Sequence, residues 1–123
     1  MKKLIIFGNG FCAEVVAKIV LENNNFEIIC FTVDKKYIKK KKIFGKPVVD
    51  FESVKKKYKR RKDFYIFVAT GYSSMNTIRE KILKKVRKVG FNLTSIIHPK
   101  AILPNDFKFG KNCLIMNSVH IHP

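Results

Sequence analysis

Apolar positions along this chain fall first in short continuous runs, then at helical spacing, then in runs again. Leu4-Ile5-Ile6-Phe7 is unbroken and ends at Gly8, the pattern of a strand buried on both faces. Val15, Val16, Ile19 and Val20 then recur at helical spacing until Asn23-Asn24-Asn25 stops them. A second β-rich run, Ile28 to Val33, closes at Asp34, so the first third predicts a βαβ unit with parallel strands. Beyond a basic, loop-like stretch, Lys46-Pro47-Val48-Val49 predicts a short strand, and Asp50 stands where it can cap a helix starting near Phe51. Phe64 to Ala69 is the next strand, and its near-continuous hydrophobicity suggests the sheet centre. A long helix follows with Ile78, Ile82, Val86 and Val89 as its apolar stripe, Thr77 and Glu80 as a capping box, and Gly90 as its C-terminal cap. Alternating strands and helices predict an α/β fold, a Rossmann-like parallel sheet flanked by helices.

From Ile97 the period changes to six. Leu103, Phe109, Ile115 and Ile121 form one array at that spacing, and Ala101, Phe107, Cys113 and Val119 form another. A helix of period 3.6 cannot put residues six apart on one face, whereas a hexapeptide β-helix does. The expectation is a domain over residues 1–98 followed, over 99–123, by the first, incomplete coil of a left-handed hexapeptide β-helix.

Composition narrows the picture. At 123 residues and 46% hydrophobic content the chain can build one core with an appendage. No run of about 20 apolar residues exists, and four apolar residues after Met1-Lys2-Lys3 are too few for a signal peptide, so a cytoplasmic protein without a membrane span is expected. Cys12, Cys30 and Cys113 are odd in number, widely spaced and set among apolar residues, which fits reduced packing positions better than a disulfide frame or metal site. The formal net charge of +17 raises the question of nucleic acid or an anionic membrane surface. The excess is almost wholly lysine, accompanies many Ile, Asn and Phe as AT-rich coding would, and concentrates in Lys39 to Lys42 and Lys55 to Lys62. No groove-reading or base-stacking motif accompanies it, which argues for solvated surface and against nucleic acid.

Three stretches carry candidate chemistry. Gly8-Asn9-Gly10-Phe11-Cys12-Ala13 matches G-x-G-x-x-G/A after a strand and at the start of a helix. Glycine lets a ligand approach the backbone there, and the free N–H groups of the helix start attract phosphate; a ligand-free tight turn is the competing reading. Asp34 ends the second strand, where an acidic side chain accepts hydrogen bonds from ribose hydroxyls or simply serves the turn. Thr70, Gly71, Tyr72, Ser73, Ser74, Asn76 and Arg79 gather at the carboxyl end of the later strand. Arg79 suits a phosphate and Tyr72 a base, while some of these polar residues serve only to start the helix. His98, His120 and His122 are the only histidines, and none has a visible orienting group, so no catalytic residue is assigned.

Together these stretches resemble the sugar acyltransferases in which a Rossmann-like N-terminal domain precedes a left-handed hexapeptide β-helix. The resemblance runs in order through Ile6 to Gly10, Cys30 to Ile38, Gly45 to Val49, Phe67 to Arg79 and Ile96 to Ala101. It implies a nucleotide-sugar side built from Gly8, Gly10, Asp34, Gly71, Asn76 and Arg79, with Asn9, Phe11, Lys35, Thr70 and Tyr72 beside them. It also implies transfer of an acetyl group from acetyl-CoA to a sugar amine or hydroxyl, and trimers with the CoA site between neighbouring β-helices. Many such proteins have Gly-Gly-His where this chain has Gly10-Phe11-Cys12, so a different ligand, or none, is compatible with the loop. The catalytic histidine of these enzymes lies on a later coil, so the chain is expected to be a piece of the enzyme, inactive alone. Two readings stay beside this one: a non-catalytic sugar-nucleotide module, and the NAD-binding part of an oxidoreductase, since the same glycines and Asp34 would serve NAD.

Overall fold

The computed structural model describes residues 2–23, 26–58, 63–69, 76–97 and 114–115. β1 (Lys2–Phe7), α1 (Phe11–Asn23) and β2 (Phe26–Val33) form the expected βαβ unit, the strands parallel with Phe7 opposite Thr32. The basic stretch after β2 is more ordered than its composition suggests. It holds a 3₁₀ turn at Lys35–Tyr37 and then β3 (Lys42–Ile43), a two-residue strand antiparallel to β4 (Lys46–Asp50). α2 (Phe51–Tyr58) leads to β5 (Phe64–Val68), and α3 (Asn76–Val89) leads to the short β6 (Asn92–Leu93).

These six strands make one sheet in the order β3-β4-β2-β1-β5-β6, parallel except for β3. The centre is therefore β2 and β1, and β5 lies one strand in from the β6 edge. Its continuous hydrophobicity has another cause, since both its faces are covered whatever its place across the sheet. Alternate residues of each strand feed two cores. Leu4, Ile6, Ile28, Phe31 and Phe67 pack with Ala13, Val16, Ile19 and Val20 of α1. Ile5, Phe7, Ile66 and Val68 pack on the other face with Phe51 and Val54 of α2 and Val86 of α3. Each such side chain taken fully out of water stabilises the fold by roughly 1.5–3 kcal/mol, which is why two layers suffice for so short a chain.

The helix ends follow local chemistry where it is strong. Asp50 caps α2, its carboxylate accepting from the Ser53 N–H at 3.1 Å and the Ser53 hydroxyl at 2.9 Å. Gly90 ends α3 at φ 97°, with its N–H donating to the Arg87 carbonyl and the Phe91 N–H to the Val86 carbonyl, the paired bonds of a left-handed helix stop. α3 begins at Asn76, so Thr77 is inside the helix and does not occupy the capping-box position.

A separate two-stranded sheet joins β7 (Ile96–Ile97) to β8 (Leu114–Ile115) in parallel, pairing Ile96 with Leu114 and Ile97 with Ile115. Ile96 is buried in the core under α1. Apart from the backbone at Ile115, the two hexad arrays lie outside the described residues, as do Cys113 and the three histidines.

Candidate functional site

Chain direction reverses its march across the sheet at β1: β2 and β4 build out to one side, β5 and β6 to the other. The carboxyl ends of β1 and β5 therefore flank the crevice where open α/β sheets receive ligands. Gly8 sits at its floor. Its N–H donates to the Thr32 carbonyl at 2.8 Å, and the Ala69 N–H donates to the Phe7 carbonyl at 2.8 Å, so three strand ends are tied at this point. A Cβ on Gly8 would meet the Ala69 carbonyl oxygen at 2.5 Å, and its φ of 147° is one that side chains do not adopt. The first glycine of the motif is thus demanded by the chain's own packing.

Gly10 differs. Its φ is not positive, and beyond its two chain neighbours no atom of the described residues lies within 4 Å of a Cβ built there. It is exposed at the mouth of α1, whose first internal bond runs from the Glu14 N–H to the Gly10 carbonyl at 3.1 Å. The N–H groups of Phe11, Cys12 and Ala13 have no intrahelical acceptor, so they point partial positive charge out of the helix start. Arg79, on the first turns of α3, adds a full charge to this side: burial pushes the Cys12 thiol above its usual range, and the nearby Arg79 guanidinium pulls it part of the way back. A helix start without side-chain obstruction and a guanidinium within electrostatic reach form an arrangement suited to an anion such as phosphate.

The other expected residues are placed unevenly. Asn9 is nearly buried, and its amide donates to the Tyr37 carbonyl at 3.0 Å, so it pins the 3₁₀ turn against the glycine loop. Phe11 is 81% exposed, an aromatic face standing free at the rim. Lys35 is exposed in the 3₁₀ turn, and its charge adds slightly to the Ser53 hydroxyl and N–H bonds that hold the Asp50 carboxyl below its ordinary range. Asp34 is half-buried at the end of β2, and one of its oxygens is already taken by the Lys85 ammonium at 2.5 Å. Lys85 lies across the Phe51 ring, 4.9 Å from its centre, so α3, α2 and the end of β2 meet at this pair. Nothing local in the sequence marks Lys85, because its partner is 51 residues away and it stands among other lysines. Asn76 opens α3; Thr70, Gly71 and Tyr72 lie outside the described residues.

Cys12 is half-buried and Cys30 buried, both as free thiols, and burial raises the Cys30 pKa to about 11. Among the described residues no group of His, Cys, Asp and Glu could hold a metal ion.

Comparisons with known proteins agree with this fold. A family model described as the PglD N-terminal domain matches residues 3–86. A variant of the perosamine N-acetyltransferase from Caulobacter crescentus, solved with CoA and GDP-perosamine, superposes with a TM-score of 0.81 at 24% identity, over 99% of this chain and 55% of that one. The acetyltransferase domain of PglB from Neisseria gonorrhoeae gives 0.79 at 26% identity, over 98% and 56%. RSP, a Rex-family repressor, fits less well, with a TM-score of 0.58 at 18% identity over 99% and 53%. The chain thus spans little more than half the length of these structures. A search of curated proteins gives no match.

Proposed function

The chain belongs to the PglD N-terminal domain family, and from that premise we propose that it is the nucleotide-sugar-binding part of an acetyl-CoA-dependent sugar acetyltransferase. The observation that carries the reading is Gly10: a glycine that neither φ nor crowding among the described residues requires, at the mouth of the helix that follows the carboxyl end of β1. Backbone approach by a ligand explains it. In this reading the N–H groups at the start of α1 and Arg79 hold the diphosphate, Phe11 offers a face to an aromatic ring, and the free side of Asp34 accepts from sugar hydroxyls. Thr70, Gly71, Tyr72 and Asn76 are assigned to the β5 side of the same ligand, and Lys35 to its outer edge. Asn9 positions the loop from beneath.

The matched perosamine enzyme was solved with GDP-perosamine and CoA, which supports the substrate class without naming the sugar here. Residues 1–98 are assigned to this binding role and 99–123 to the first coil of a β-helix. The β7–β8 pairing supports that coil, because its partners stand eighteen residues apart, or three hexads. Acetyl transfer, the CoA site and trimer contacts are assigned to the remainder of the parent enzyme, a cytoplasmic one, and no described residue is given a role in them.

Calorimetric titration with UDP-, GDP- and dTDP-sugars and with NAD tests the reading. At least one sugar nucleotide should bind, and Gly10→Val should weaken it by about tenfold or more, since a branched side chain blocks the approach to the helix start. Affinity for NAD with no response to any sugar nucleotide would assign the crevice to an oxidoreductase-type ligand instead. No CoA release from acetyl-CoA is expected from the chain alone; release dependent on a sugar nucleotide and lost on replacing His120 or His122 would reverse that assignment.

A further inference from the structure

Residues 35–46, at the β3 edge of the sheet, contain seven lysines and no acidic residue. The six lysines from Lys35 to Lys42 are all exposed. Within the same short segment Tyr37 is 57%, Ile38 36% and Phe44 54% exposed. Phe44 is the most telling of these. It sits at the tip of the β3–β4 hairpin, between the paired Ile43 and Lys46, with φ 49°, and Gly45 follows at φ 77°. Positive φ at both central residues is the signature of a tight hairpin turn that ordinarily takes Asn or Asp before Gly. A phenylalanine there strains the backbone and leaves most of its ring in water, so neither local conformation nor burial accounts for it. The hairpin is anchored, because Ile43 is buried in the core below α1 and the Val48 N–H donates to the Lys41 carbonyl at 2.9 Å.

We infer that this edge is a peripheral docking surface for an anionic lipid bilayer, with the lysines against the headgroups and Phe44 entering the interface between them. Charge complementarity supplies the attraction, each lysine near such a surface strengthening binding about fivefold. Aromatic and aliphatic side chains held outward among cations match the headgroup boundary, where an aromatic ring is most at home. Nucleic acid fits the same residues less well. The segment contains no Arg, Asn or Gln to read base edges, and a hairpin with two-residue β3 is too short to fill a groove. The docking shares only Lys35 with the nucleotide-sugar reading and does not depend on that reading.

Sedimentation of the full chain with lipid vesicles tests the inference, using phosphatidylcholine alone and phosphatidylcholine with roughly a third phosphatidylglycerol. Binding is expected only to the anionic vesicles, and it should weaken as salt is raised. Phe44→Asn should reduce it about tenfold; because asparagine accepts the left-handed conformation, the variant folds, and a thermal melt verifies this. Replacing Lys39, Lys41 and Lys42 by Gln should reduce binding on the order of a hundredfold. The same three-charge loss at Lys81, Lys84 and Lys88, exposed on α3, should change it by less than about threefold. Equal losses from the two lysine sets would show that diffuse charge is responsible and overturn the proposal. Undiminished binding by Phe44→Asn would overturn it as well. So would tighter binding to an oligonucleotide with the same sensitivity to Phe44, which would give the surface to nucleic acid.

Discussion

The turn after β1 and the turn between β3 and β4 both place a residue at positive φ, yet one holds glycine and the other phenylalanine. At Gly8 the constraint is double. Its φ of 147° lies outside any region open to side chains, and the Ala69 carbonyl occupies the space a Cβ would need. At Phe44 the constraint is single: φ 49° falls in the small left-handed region, and the side chain projects into solvent. Left-handed backbone alone costs a side-chain-bearing residue roughly 1–2 kcal/mol, which a folded domain can absorb. A collision with the backbone of a neighbouring strand cannot be absorbed without parting the strands. At Gly8 both conformation and packing exclude a side chain, whereas at Phe44 only the modest conformational cost opposes one.

The largest expected effect follows from that distinction. Gly8→Ala should destabilise the fold by about 3 kcal/mol or more, read from urea unfolding, because conformation and packing both oppose it. Gly10→Ala, two residues on in the same motif, should change stability by less than about 0.5 kcal/mol, as the lost helix-start preference and the reduced freedom of the unfolded chain nearly cancel. Similar losses from the two would erase the contrast. Next in size, Phe44→Asn should stabilise the protein by about 1 kcal/mol, because asparagine before Gly45 relieves the left-handed strain. A loss of stability instead would mean that the Phe44 ring contributes packing that its exposure conceals.

The smallest effect is electrostatic. The Ser53 hydroxyl, then its N–H, hold the Asp50 carboxyl below its ordinary range. A depressed folded-state pKa stabilises fully above the unfolded carboxyl value of about 3.9 and is lost as pH falls through the folded value. Asp50→Asn keeps a capping side chain without the charge, so its urea midpoint should sit slightly below the native one at neutral pH. The two should converge below about pH 4. A gap unchanged down to pH 2 would mean that the charge of Asp50 adds nothing to the cap.

Much of the frame was legible because it depends on short-range patterns. Continuous apolar runs announced β1, β2 and β5, helical spacing announced α1 and α3, and Asp50 and Gly90 marked helix ends whose hydrogen bonds are local. The hairpin of β3 and β4 was only half visible. Lys39 to Lys42 read as loop, since β3 is two residues long and its strand character comes from pairing with β4 rather than from its composition. The six-residue period of the tail falls almost wholly outside the described residues, where only the β7–β8 pairing, between residues eighteen apart, bears on it.

The candidate site divides along the same line. Local sequence determined that a glycine turn joins a buried strand to a helix, and that polar and basic residues collect where strands end, because those features need only neighbours along the chain. Tertiary structure alone decided which glycine is structural and which is open, since that depends on Ala69, some sixty residues away, standing against Gly8 and not against Gly10. It also decided that Asp34 is engaged by Lys85, that Asn9 is turned inward to the Tyr37 carbonyl, and that Phe11 and Phe44 are left outside both cores. Each of these rests on contacts between segments that only the folded sheet brings together, and side-chain type does not encode which partner will arrive.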